Sequence, residues 1–157
     1  MGTKKIVFVL LALFLICPVA HSQKNIEQLF KKFSNEKGVD HVNFGMLTMK
    51  LAGLFTNVKG ISGIEVYRFD NCKQSVKKKL NKAIASLKDK DYETVVSVDK
   101  EKINTRILMK LKDDVIKELV ILKSGDNPVM FTVKGNIKPA DIEELISIFT
   151  SKDIQIL

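Results

Sequence analysis

YETVVSV (Tyr92–Val98), INTRILMKLK (Ile103–Lys112), IKELVILK (Ile116–Lys123) and PVMFTVKG (Pro128–Gly135) follow one another with only DKEK, DDV and SGDN between them. Each run has about the length of an average strand and is dominated by β-branched and aromatic residues. Links that short join only antiparallel neighbours, since a parallel pair needs a crossover of roughly a dozen residues. The stretch therefore predicts a four-stranded antiparallel meander. Gly125, Asp126 and Asn127 ahead of Pro128 form the clearest turn signal. Gly and Asn tolerate positive φ there, and Pro opens the next strand where its missing N–H does least harm.

Alternation sorts the side chains by face. Ile107, Met109 and Leu111 share one side and Arg106, Leu108 and Lys110 the other; likewise Val129, Phe131 and Val133 oppose Met130, Thr132 and Lys134. One face is strongly apolar and the other mixed, which predicts a sheet packed against helices on one side and partly wetted on the other. Leu119 to Leu122 is apolar on both faces, which points to a central strand or to partial cover of the second face.

Upstream, ISGIEVYRF (Ile61–Phe69) reads as a further strand feeding a helix capped by Asp70 or Asn71. Cys72, Val76, Leu80, Ala83, Ile84 and Leu87 lie on one side of that helix. Lys73, Lys77, Lys78, Lys82 and Lys88 lie on the rest. Strand, helix and meander make a β-α-β unit. Earlier still, Ile26, Leu29, Phe30 and Phe33 form a helical stripe that Gly38 is placed to end in the left-handed conformation. VDHVNF is a short extended piece, and Met46, Leu47, Leu51, Leu54 and Phe55 return to helical spacing. After the meander, Pro139 suits a first helical turn, Asp141, Glu143 and Glu144 complement the dipole, and Ile142, Leu145, Ile146 and Phe149 supply an apolar stripe. The expected fold is α+β: a mainly antiparallel sheet of about five strands with helices packed mostly on one face.

At the front, Lys4 and Lys5 precede an apolar run from Ile6 to Cys17, then Pro18-Val19 and the small-residue pattern Ala20-His21-Ser22. A basic start, a short apolar core and small residues before a cut describe a secretory signal peptide, cleaved between Ser22 and Gln23. As a helix the apolar run covers about 18 Å of a hydrocarbon core about 30 Å thick, so a spanning anchor is not expected. The domain expected is then 23–157, about the size that buries a core without staples. Loss of Lys4 and Lys5 from the 26 basic residues leaves 24 against 18 acidic ones, a net charge of +6. Only Cys72 would remain, so no intrachain disulfide holds the exported domain and packing must do so.

The segments GVDHVNFGMLTMKLAG and YETVVSV and the ending NPVMFTVKGNIKPADIEEL, in this order after a signal sequence, resemble the DUF4252 family of exported bacterial proteins. The resemblance covers nearly all of the chain after residue 22. It implies a periplasmic or outer-envelope location in a Gram-negative bacterium, no established activity, and no active-site residues to carry over. Many relatives look like lipoproteins. This chain departs from them, because Ile16 stands where a small residue would precede Cys17 and Pro18 follows it.

Motifs for chemistry are sparse. His41 is the one histidine after residue 22, too few for a histidine-rich metal site or a nucleophile-histidine-acid arrangement, and it reads as a surface or strand-edge residue. Cys72, in a first helical turn beside Lys73, has a setting that favours thiolate. It also shares the apolar stripe, which suits an inert buried thiol. Lys73, Lys77, Lys78, Lys82 and Lys88 make a candidate basic patch for anionic lipid or glycan. Nucleic acid is not expected, since Arg68 and Arg106 are the only arginines and Trp is absent. The carboxylate pairs Asp113-Asp114 and Glu143-Glu144 sit at a turn and a helix start, which explains them. No catalytic, cofactor-binding or metal residue is nominated. The expectation is a non-enzymatic envelope protein that binds a partner protein or an anionic surface through the mixed sheet face or the lysine-rich helix. The alternative is a small-ligand binder or hydrolase with a pocket between sheet and helices, and converging polar groups in a pocket would favour it.

Overall fold

A computed structural model describes residues 25–45, 59–100 and 103–150, without the side chains of 148–150. The segment expected to be a signal peptide, with its cut at Ser22 and Gln23, lies outside the described residues, as does the helical spacing from Met46 to Phe55. In chain order the elements are α1 (Ile26–Phe33), β1 (Asp40–Gly45), β2 (Ile61–Arg68), α2 (Gln74–Ala85), β3 (Glu93–Lys100), β4 (Ile103–Lys112), β5 (Val115–Lys123), β6 (Val129–Ile137), a 3-10 turn (Pro139–Asp141) and α3 (Ile142–Thr150).

The meander forms as its short links require, and β2 and β1 then add beside β6. The result is one six-stranded sheet in the order β1-β2-β6-β5-β4-β3 with every neighbouring pair antiparallel. The expectation of about five strands is corrected by β1, the extended VDHVNF piece, which pairs Asp40–Gly45 against Arg68–Gly63. Its alternation of half-buried and exposed residues is that of an edge strand. β2 and β3 run in the same direction with β6, β5 and β4 between them, so α2 carries the chain across the width of the sheet.

Among the described residues helices lie on both faces, and the two that share a face lie on the mixed one, where the expectation was cover of the strongly apolar one. α1 and α2 cover part of the mixed face, where Phe33, Leu80, Ile84, Leu108, Leu122 and Met130 form one core. α3 packs Leu145, Ile142 and Ile146 onto the strongly apolar face, with Val66, Leu119, Phe131 and Ile137. The mixed face is apolar enough at one end to be worth burying. Each fully buried aliphatic or aromatic side chain contributes about 1.5–3 kcal/mol, and there Met130 pairs with Leu122 across β6 and β5 while Leu108 pairs with Val120 across β4 and β5, all four buried. β5 is central and buried on both faces, as its run of apolar residues requires.

Polar contacts fix the helices. Asn25 caps α1, its Oδ1 accepting from Gln28 N at 2.8 Å, and Ile26 N donates to Asp89 Oδ2 at 2.9 Å. α1 ends at Ser34, so Gly38 is not its terminator. Gly38, at φ +92°, serves a close approach: a Cβ there would lie 2.5 Å from the Asn71 carbonyl oxygen. α2 begins at Gln74 with Lys73 in the cap position and no side-chain cap, in place of the expected Asp70 or Asn71, and Cys72 precedes the helix. At its other end Arg106 Nη1, from β4, donates to the carbonyls of Ile84 and Leu87 at 3.0 and 3.1 Å. That cation adds charge-assisted hydrogen bonds to carbonyls at the negative end of the helix dipole.

Bulges decide which side chains reach which face. In β5, Lys117 is an extra residue, because Leu111 pairs with Ile116 and the adjacent Lys110 with Glu118. Strict alternation would put Ile116 and Glu118 on the same side. The bulge sends Ile116 into the apolar core and Glu118 to the mixed face. Ser62 does the same for Ile61 in β2.

Two substitutions test this geometry. The β4–β5 hairpin turns on Asp113 and Asp114, both left-handed at φ 53° and 56°. Asp114→Gly should raise stability in denaturant unfolding by about 0.5–1 kcal/mol, since such turns favour Gly second. Gly135→Ala should lower it by about 1–3 kcal/mol, because its Cβ would sit 2.1 Å from the Gly60 carbonyl oxygen. Neutral behaviour of Gly135→Ala would contradict the close approach.

Candidate functional site: a polar cleft on the mixed face

α1 and α2 cover only part of the mixed face. Beside α1 the remaining rows form a cleft of about 430 Å³, within the range of small-molecule sites. Its floor is Glu65, Tyr67, Thr132, Lys134, Glu118 and Lys110; α1 supplies Asn25, Ile26 and Phe30, and the segment before β3 supplies Asp89, Asp91 and Tyr92.

Cross-strand register assembles the floor. Glu65 faces Thr132, while Lys134 faces Glu118 and Glu118 faces Lys110. Strands lie about 4.8 Å apart, so Lys134, Glu118 and Lys110 form a row of alternating charge across three strands, an attractive cross-strand pattern. Glu65 is the most heavily partnered group. Its Oε1 accepts from Lys134 Nζ at 3.0 Å, its Oε2 accepts from the Tyr67 hydroxyl at 2.8 Å, and His41 Nε2 lies 3.9 Å away. Burial opposes ionisation of Glu65, but these hydrogen bonds, together with the charges of Lys134 and His41, outweigh it and hold the carboxyl below its usual range. Tyr67 is packed between rings: His41 stacks on it at 4.2 Å and 5°, and Phe30 meets it edge-on at 5.5 Å and 73°. Burial, then the bond to Glu65 and its charge, push the Tyr67 phenol up to about 12.

Tyr92 repeats the arrangement from the opposite wall. Its hydroxyl donates to Glu118 Oε2 at 2.7 Å, and Lys110 Nζ lies 5.5 Å from the centre of its ring. Burial and the Glu118 carboxylate raise this phenol as well. Asp89 ties the wall together, accepting from Ile26 N through one oxygen and from Asp91 N through the other.

The residues singled out in the sequence lie elsewhere, His41 excepted. His41 is a strand-edge residue, as expected, with its side chain 42% exposed and stacked at the margin of the cleft. Cys72 is buried, and its thiol is pushed up by burial and by Glu36, Asp40 and Asp70 against the opposing pull of Lys77. That corrects the thiolate setting and leaves the inert one. Of the candidate basic patch, Lys73, Lys78, Lys82 and Lys88 are exposed. Lys77 is not: it is 8% exposed and donates to Asn127 Oδ1 at 3.3 Å, an amide contact that allows its burial. Among the described residues, no three of His, Cys, Asp and Glu are grouped to hold a metal ion, and no helix is long and apolar enough to cross a membrane.

Sequence reasoning placed Lys110, Lys134 and Thr132 on the mixed face but missed Glu65, Tyr67, Tyr92 and Glu118. The missing signal was the bulge at Lys117, together with the pairing of β2 to β6, which are distant in sequence.

An antiparallel α+β domain with a polar cleft on its mixed sheet face is thus the class of protein these residues build. A family model described as "Domain of unknown function (DUF4252)" matches residues 23–145, most of the chain, and the chain belongs to that family. Neither a curated protein nor a solved structure matches it.

The phenols give a direct check. A folded-state value raised above the ordinary 10 means that the stability contributed by the neutral phenol is full below pH ~10 and is lost as pH rises through about 12. Ultraviolet titration of the native protein near pH ~11 should therefore show both tyrosines of the chain largely protonated, with ionisation appearing only on unfolding. Ionisation of either in the native state at that pH would contradict the pairing with Glu65 and Glu118.

Proposed function

We propose that this is a non-catalytic binding domain whose site is the cleft on the mixed sheet face. The observation that carries the reading is the convergence of Glu65, Tyr67, Tyr92, Lys110, Glu118 and Lys134 on one cleft of about 430 Å³. Convergent polar groups in a concave site are what orient a small ligand. The same groups are poorly suited to proton transfer near neutral pH, where Glu65 is held ionised and the two phenols are held protonated. Export to the envelope of a Gram-negative bacterium is part of the proposal. It is supported by the residue pattern from Lys4 to Ser22 and by a family match that starts at Gln23.

A chemically diverse fragment set, followed by amide shifts in NMR spectra of the folded protein, tests the reading. Binders should move Glu65, Tyr67, Tyr92, Lys110, Glu118 and Thr132 together. Binders confined to α2 would count against the cleft.

A second reading has its own observation: α2 carries no acid in its first turn and exposes Lys78 and Lys82, with Lys73 and Lys88 flanking it. This face suits an anionic surface, bound by screened Coulomb attraction. Sedimentation with anionic vesicles should show association that weakens steeply as salt rises. Salt-insensitive association would rule out this electrostatic mode.

A further inference from the structure

We infer that the cleft takes a neutral saccharide, an inference that rests on the cleft being a binding site. Charge on its floor cancels locally: Glu65 is bonded to Lys134, and Glu118 stands between Lys134 and Lys110 in register. On the walls Glu27 stands four residues from Lys31 on α1, and Asp89 is already engaged by two backbone N–H groups, which leaves Asp91 as an exposed carboxylate at the rim. A net-charged ligand would meet attraction and repulsion at neighbouring positions and would have to break a pair to gain one, which costs more than it returns in a partly desolvated site. A neutral ligand escapes that cost.

What the floor does offer is donors and acceptors side by side. Glu118 uses Oε2 for the Tyr92 hydroxyl, and among the described residues no donor occupies its Oε1. Lys134 spends one N–H on Glu65 and keeps the remainder of its three. A hydroxyl can donate to such a carboxylate while accepting from such an ammonium, and a sugar ring presents hydroxyls in series at fixed spacing. Bonds of this charged-to-neutral kind contribute about 1.5–3 kcal/mol each. The walls add aromatic carbon, since Phe30 and Tyr92 both line the cleft beside the polar floor, for contact with the apolar C–H groups of a sugar ring. A cleft of about 430 Å³ has room for a ligand of mono- or disaccharide size.

Saturation-transfer NMR on the full folded chain tests this with maltose, cellobiose and N,N′-diacetylchitobiose as neutral probes. Spermine and citrate serve as charged ones. At least one neutral sugar should receive saturation and shift the Tyr92 and Glu118 amides. Glu118→Gln should weaken its binding about tenfold, as should Lys110→Met opposite it on the neighbouring strand, while Lys138→Glu, exposed and outside the cleft, should leave it unchanged. Silence from all three sugars overturns the inference, as does cleft binding by spermine or citrate in their place. The two levels separate cleanly: silent sugars with fragments bound in the cleft remove the saccharide alone, whereas silent sugars and an empty fragment screen remove the binding site too.

Discussion

Charge pairing across the mixed sheet face is the interaction on which the rest of the molecule depends. An ionised side chain on a half-covered sheet is costly unless a partner meets it. Here Glu65 has Lys134 and the Tyr67 hydroxyl, and Glu118 has Tyr92 with lysines on both neighbouring strands. Because these groups satisfy one another, that end of the face can stay open to solvent. The two helices that share the face then cover only its apolar end, over Met130, Leu122 and Leu108.

The same division explains how α2 is held. It crosses above the sheet without a side-chain N-cap. It is instead tied along its length to loops and strands: Lys77 to Asn127, Asn81 to the backbone of Gly125 through a reciprocal amide pair, and its terminal carbonyls to Arg106. Gly125 and Asn127 belong to the β5–β6 turn, so a loop whose first job is to reverse the chain also docks the helix. Lys77 consequently looks inward, leaving the other lysines to face water.

How much of this the sequence discloses follows from distance along the chain. The meander is legible because its turns are local and its alternation is strict, and the apolar run Leu119 to Leu122 already points to a central β5 or a partly covered second face. Helix stripes such as Ile26, Leu29 and Phe33 are legible for the same reason. Three things were not. The sixth strand is short and only partly buried, so VDHVNF carries little of a strand's apolar signal. The second face is covered because its apolar residues lie at one end, which requires the register of four strands to be known at once. Most of the cleft escapes detection because Glu65 and Thr132 meet only through β2–β6 pairing, and because one inserted residue, Lys117, turns Glu118 toward Lys110 and Lys134.

The central claim is that partners, not solvent, neutralise the charges of this face, and Glu65 reports on it most directly. A carbon-13 NMR titration of its side-chain carboxyl in the folded protein should give a midpoint below the 4.5 of an unperturbed glutamate. A value lowered in this way stabilises the fold above the unfolded midpoint, and the contribution is lost as pH falls through the folded one. A midpoint at or above 4.5 would mean that burial outweighs Lys134 and Tyr67, and would contradict the account.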